Sequence, residues 1–217
     1  MREQVINEVL RGKLIAIVRG MDEAQITPIA KAIRAGGITM LEVTFNQAKP
    51  GGDAATARSI GAMREAFGDG GYAGAGTVMS PGQLELAAQA GAQFIVAPDA
   101  NPEVIKRTRE LGLVSIPGAM TPTECAAAHA AGADFVKLFP LGNLGAGYLK
   151  AIRAPLSHIR FLGVGGISEK NMGEYLAAGA VGFGVGGNLV NKEWIDAGRF
   201  DLITELAAKY VAAVNGA

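Results

Sequence analysis

The chain has 217 residues, 49% of them hydrophobic and 18% charged, a balance that excludes a disordered polypeptide. Its 20 Lys+Arg and 20 Asp+Glu cancel, so it offers no electrostatic footprint for nucleic acid or for an anionic membrane. That length suits one large α/β domain with a substantial core, or two small ones.

The first segment, Arg2–Leu10, is an amphipathic helical pattern without the apolar core of a secretion signal. No apolar stretch is long enough to span a bilayer, and a soluble, cytoplasmic protein is expected. Short β-branched and aromatic runs then alternate with amphipathic ones. Lys13–Arg19 is the first strand candidate, with helix Glu23–Ala35 after it. Thr39–Phe45 precedes Ala54–Phe67, and Tyr72–Thr77 precedes Pro81–Ala90. Gln93–Ala97 leads into Glu103–Leu111, Leu113–Ile116 into Thr123–Ala131, and Asp134–Phe139 into a helix near Gly147–Arg153. The last two strands are Arg160–Val164, followed by Glu169–Ala178, and Val181–Val185, followed by Phe200–Val214. Glycines at Gly36, Gly91, Gly132 and Gly179 close helical patterns just before strands, where a left-handed residue ends a helix.

Strict alternation of strand and helix implies a parallel sheet with right-handed crossovers. Eight such units predict an α/β fold, a compact (β/α)8 TIM barrel. The whole chain, 1–217, is expected to be a single domain. Residues 1–12 form an extra helix placed to plug one end, 13–190 the barrel, and 191–217 a C-terminal helical segment. A doubly wound sheet is the alternative, but it would carry a dinucleotide fingerprint after the first strand, and Ile17-Val18-Arg19-Gly20 is not one.

Functional groups of such a barrel gather at the C-terminal ends of its strands. Arg19 and Thr77 end the first and third strands, and Lys137 lies late in the sixth. Alternation puts Glu42 and Thr44 on one face of the second strand, opposite the apolar Leu41, Val43 and Phe45. Lys137, in Asp134-Phe135-Val136-Lys137-Leu138-Phe139-Pro140, is a cation amid buried strand residues. It must meet an anion, reach water along its stem, or lose its proton and become a nucleophilic amine. A buried ion pair with Lys137 or Arg19 is the structural reading of Glu42; proton transfer is the functional one. The small residues Ala73-Gly74-Ala75-Gly76 either leave room for a ligand or serve packing alone. Two glycine turns, Gly163-Val164-Gly165-Gly166 and Gly184-Val185-Gly186-Gly187-Asn188, follow the seventh and eighth strands, where such barrels bind phosphate. The single cysteine, Cys125, reads as a buried thiol. His129 and His158 show no metal-ligand spacing, so neither a metal nor a cofactor is expected.

Lys13–Arg19, Leu41-Glu42-Val43-Thr44, Gly74–Val78, Ile116-Pro117-Gly118, Lys137-Leu138-Phe139-Pro140, Gly165-Gly166-Ile167 and Gly184-Val185-Gly186 occur in the order found in one family. From about Lys13 to about Val190 the chain resembles the 2-keto-3-deoxy-6-phosphogluconate (KDPG) / 4-hydroxy-2-oxoglutarate (KHG) aldolases of class I. The resemblance implies a metal-independent homotrimer in which Lys137 forms a Schiff base and Glu42 is the general acid–base. It implies that Thr77 contacts the pyruvate carboxylate, Pro98 and Phe139 line the pocket, and Arg19, Gly165 and Gly166 hold the phosphate, with Val164, Gly186 and Gly187 beside them. Products would be pyruvate with glyceraldehyde 3-phosphate, or with glyoxylate.

The chain departs from that pattern in places. Asn46 stands where some members have an arginine, Gly163-Val164 replaces a common Pro-Thr pair, and Gly187 replaces a frequent serine, with Asn188 beside it. A valine at 164 also occurs in relatives acting on the galactonate epimer. Rival readings are a phosphosugar epimerase or isomerase on the same barrel, and a sugar-acid binding protein without turnover.

Overall fold

The computed structural model describes residues 1–216. Strands β1 (Leu14–Val18), β2 (Met40–Thr44), β3 (Tyr72–Gly76), β4 (Phe94–Val96), β5 (Val114–Ile116), β6 (Gly118–Ala119), β7 (Val136–Leu138), β8 (Phe161–Val164) and β9 (Gly182–Val185) form one parallel sheet. Its order is β5-β4-β3-β2-β1-β9-β8-β7-β6. β5 and β6 are two halves of one extended segment interrupted at Pro117. That segment accepts Ala97 N–H through the Ile116 carbonyl on one side, and Lys137 N–H through the Pro117 carbonyl (2.8 Å) on the other. The ring therefore closes on itself as a (β/α)8 barrel.

Helices α1 (Arg2–Gly12), α2 (Glu23–Ala35), α3 (Asp53–Phe67), α4 (Pro81–Gln89), α5 (Pro102–Glu110), α6 (Pro122–Ala130), α7 (Ala146–Arg153), α8 (Met172–Ala177), α9 (Lys192–Asp196) and α10 (Phe200–Asn215) complete the chain. Their boundaries are written locally. Ser80, Asn101 and Thr121 cap α4, α5 and α6 from the side chain, each followed by a proline at the first helical position. At the other end Gly91, Gly132 and Gly179 take φ of 89°, 109° and 99°. The residue after each returns a hydrogen bond into the last turn, as in Ala92 N–H to Ala87 O (3.0 Å), which closes the helix and redirects the chain into the next strand.

Alternation divides the sheet into two apolar layers. Outward residues such as Leu41, Val43, Ala73, Ile95, Val136 and Phe183 pack against the helices. Inward residues Ile15, Met40, Phe94, Val114, Phe135 and Leu162 fill the barrel, joined by Val5 and Val9 of α1, which thereby plugs its N-terminal end. Arg2 pairs with the buried Asp134 carboxylate, which also accepts from Arg109 (2.8 Å) and from the Ser115 amide (2.9 Å).

Several boundaries move from their sequence positions. Lys13 is the left-handed residue (φ 58°) that turns α1 directly into β1, and Asp134 is held by its ion pairs outside β7. α8 starts at Met172 because Asn171 folds back, accepting from Ser168 N–H (2.8 Å) and donating to Gly166 O (3.0 Å). No helix among the described residues is long and apolar enough to cross a membrane.

Candidate active site

Glu42 and Lys137 both point into the barrel above its apolar filling, 2% and 5% exposed. The glycines of β3 make this possible. A Cβ on Gly74 would lie 2.3 Å from the Phe94 ring, and one on Gly76 would lie 2.4 Å from Glu42 Oε1. The volume left by Gly74 is thus filled by Phe94, and that left by Gly76 by the Glu42 carboxylate, so the small residues of β3 serve packing, around a buried acid.

No hydrogen bond or ion pair within 4.0 Å joins Glu42 to Lys137 or Arg19 among the described residues. Their coupling is through space. Burial pushes the Glu42 carboxyl up to about 7, against the smaller pull of Lys137 and Arg19. Burial likewise lowers Lys137 from its ordinary range; Glu42 opposes that and Arg19 adds to it. Burial thus favours the neutral form of each group, a free amine on Lys137 and, near pH 7, a Glu42 carboxyl able to give or take a proton. The two groups share a cavity of about 10 Å³ with Ile17, Val164 and Gly184. That volume is about the lower limit for one water. Lys137 Nζ also stands 4.9 Å from the centre of the Phe139 ring, a contact that favours the ammonium when it forms.

Above Lys137 the barrel mouth opens into a cavity of about 700 Å³, within the range of small-molecule sites. Lys137 lies at its buried end, with Phe139 in the lining beside it. Arg19 enters from the loop after β1, Val164, Gly165 and Gly166 from β8 and its loop, and Gly186, Gly187 and Asn188 from the loop after β9. Gly165 and Gly166 take φ of 88° and 74°, and Gly142 packs against them with its N–H on Gly165 O (2.7 Å), so side chains at these positions would strain or block the turn. The lining carries Arg19, Lys137 and Lys192 and no carboxylate, which suits an anionic ligand.

Two expected residues stand apart from that cavity. Pro98 lines a second one, of about 550 Å³, on the other side of Phe139, together with Asp99, Gly118 and Met120. Gly118 is required there, since a Cβ would meet Pro98 O at 2.3 Å. Thr77 lines neither large cavity; it follows β3 at φ 56°, unusual for a β-branched residue, with its carbonyl accepting from Gln47 Nε2 (2.9 Å). Asn46 turns its side chain onto the Ala48 amide (3.0 Å). Cys125 is fully buried, its thiol pushed up to about 11 by burial, and so unreactive. The sequence reading missed Lys192, which no strand-end pattern marks because it belongs to a short helix beyond the barrel.

The sequence profile of the KDPG and KHG aldolases matches residues 5–206. The chain belongs to this aldolase family. It is therefore a lyase. It is 38% identical over 206 residues to the "probable 2-dehydro-3-deoxy-6-phosphogalactonate aldolase" of Rhizobium meliloti (strain 1021), covering 94% of this chain and 93% of that one. It is 36% identical over 207 residues to the KHG/KDPG aldolase of Escherichia coli (strain K12), covering 94% and 90%. The KDPG aldolase of Legionella pneumophila, solved with pyruvate captured as a covalent carbinolamine intermediate, superposes with a TM-score of 0.83 at 30% identity, covering 94% and 96%. Family members with these names act on different epimers, so membership defines the reaction class and leaves the substrate to the geometry.

Proposed function

We propose that this aldolase works through a Schiff base on Lys137. The neutral amine attacks the C2 ketone of a 2-keto-3-deoxy sugar acid, and protons move between Glu42 and the carbinolamine oxygen until water leaves. The resulting iminium accepts the electron pair when the C3–C4 bond breaks, while Glu42 takes the proton of the C4 hydroxyl. An aldehyde departs, the enamine is reprotonated at C3, and hydrolysis releases pyruvate. Phe139 stands beside Lys137 at the pyruvate end, Pro98 lies beyond its ring, and Arg19 with the Gly165, Gly166, Gly186 and Gly187 turns receives a terminal phosphate. The observation that carries this reading is the burial of an acid and an amine, the one raised and the other lowered by that burial, at the floor of a cation-lined cavity.

The substrates that fit are 2-keto-3-deoxy-6-phosphogluconate, giving pyruvate and glyceraldehyde 3-phosphate, and 4-hydroxy-2-oxoglutarate, giving pyruvate and glyoxylate. A second reading makes the galactonate epimer the main substrate. Cleavage turns C4 into the aldehyde carbon, so both epimers yield the same products and differ only in how the C4 hydroxyl is met. Val164 presents methyl groups in the cavity and cannot hydrogen-bond a hydroxyl, which favours weak discrimination or the galactonate epimer; the name of the Rhizobium meliloti relative points the same way. Parallel kcat/KM values on the two epimers and on 4-hydroxy-2-oxoglutarate decide between these readings. Val164→Thr is expected to shift the ratio toward the gluconate epimer by up to about tenfold, the worth of one net hydrogen bond. A strong wild-type preference for the gluconate epimer, unchanged by the substitution, would remove residue 164 from the specificity argument.

The chain acts as one barrel domain and assembles as a homotrimer in this reading. Met79 and Met120, each more than a third exposed, leave apolar surface after β3 and β6 for neighbouring subunits. Light scattering after gel filtration reads the subunit number directly.

A further inference from the structure

We infer that Lys192 is a second cationic ligand for the substrate's terminal phosphate, held in reserve by Asp196; this rests on the phosphate reading of the 700 Å³ cavity given above. Of the three cations in the lining, Lys137 is committed to the carbonyl at the inner end. Arg19 and Lys192 remain, on the loops after β1 and after β9, and these two strands are neighbours in the ring. The cations therefore flank one seam of the barrel, with the turn Gly186-Gly187-Asn188 on the β9 side.

That turn supplies no charged side chain of its own. A Cβ on Gly187 would meet nothing within 4 Å, so the space above it is open to a side chain from elsewhere in the chain. Lys192, five residues on, lines the same space. Its Nζ now contacts both carboxylate oxygens of Asp196, at 2.9 and 2.6 Å, across one turn of the surface helix α9. The side chains of this pair are 66% and 50% exposed. Exposed pairs of this spacing are weak, whereas a phosphate offers close to two negative charges and three acceptor oxygens. Exchange of Asp196 for phosphate costs little and gains a stronger partner. A substrate ending in a carboxylate has less charge to offer and gains less, which makes Lys192 a determinant of preference for phosphorylated substrates.

The experiment uses the full-length protein and two readouts. One is the ratio of kcat/KM for a phosphorylated substrate to that for 4-hydroxy-2-oxoglutarate; the other is the competitive Ki of inorganic phosphate. Lys192→Gln and Lys192→Ala should each lower the ratio and raise the Ki by roughly three- to tenfold, the scale of a partly exposed charge-assisted contact. Asp196→Asn should lower the Ki by roughly two- to threefold, and the Asp196→Asn/Lys192→Gln double variant should match Lys192→Gln alone. Wild-type ratio and Ki in both Lys192 variants, or equal losses on both substrates, would overturn the inference. Arg19→Ala separates the two levels of the argument. If it lowers the ratio and Lys192→Gln does not, only the role of Lys192 falls; if neither does, the phosphate reading of the cavity falls with it.

Discussion

Replacing Glu42 by glutamine keeps the shape of a fully buried side chain and removes its titration. Burial has raised the carboxyl from its ordinary 4.5 to about 7. A folded-state pKa above the unfolded one means that the fold binds the proton more tightly. The stability this provides is present in full below pH 4.5 and is lost as pH rises through about 7. At about 1.36 kcal/mol per pH unit the interval amounts to roughly 3 kcal/mol. The buried glutamine amide carries a pH-independent cost of its own, about 1–3 kcal/mol if it finds no partner. The informative quantity is therefore the difference between variant and wild type as a function of pH. Denaturant midpoints at pH 4.5 and 8 should show the variant gaining on wild type by roughly 3 kcal/mol across that range. Lys137 titrates in both proteins and cancels to first order, although loss of the Glu42 charge lowers it further and leaves more free amine. Over the same range kcat for cleavage should fall by roughly 10²–10⁴-fold, the usual loss of a general acid–base group. A variant that turns over like wild type, with a stability difference flat in pH, would refute the reasoning and leave Glu42 a structural residue.

Gly76→Ala should act on the same carboxylate from the other side. The new methyl, 2.4 Å from Glu42 Oε1, displaces it at a cost of about 1–3 kcal/mol, with kcat falling at least about tenfold while imine formation on Lys137 persists; unchanged kcat would show that the position of Glu42 is not critical. Arg19→Ala should raise KM for phosphorylated substrates at least about tenfold more than for 4-hydroxy-2-oxoglutarate, as loss of a charge-assisted phosphate contact requires. Equal losses on both would make Arg19 a modulator of Lys137 and Glu42, whose titration it also influences.

Much of this was legible in the sequence because the barrel is built from repeated local signals. Glycines such as Gly91 and Gly132 end helices by their own conformational freedom, and the alternation in Leu41–Phe45 separates Glu42 from an apolar face that packs on the helices, which turns Glu42 inward. What escaped depended on partners distant in sequence. The late start of α8 follows from a side chain folding back onto Gly166, and the split between β5 and β6 from Pro117 offering only its carbonyl to β7. Whether Gly74 and Gly76 leave space or receive a neighbour could be decided only with Phe94 and Glu42 in place. The left-handed backbone of Thr77 has no sequence signature at a β-branched residue, and Lys192 joins the cavity through the path of the chain after β9.

The central claim is that Lys137 is the nucleophile. Borohydride reduction in the presence of pyruvate, followed by peptide mass mapping, tests it at the atom concerned. A stable reduced pyruvate adduct on the peptide carrying Lys137, retained in Glu42→Gln and lost in Lys137→Ala with the fold intact, is the predicted result. An adduct on another lysine, or undiminished cleavage in Lys137→Ala, would contradict it.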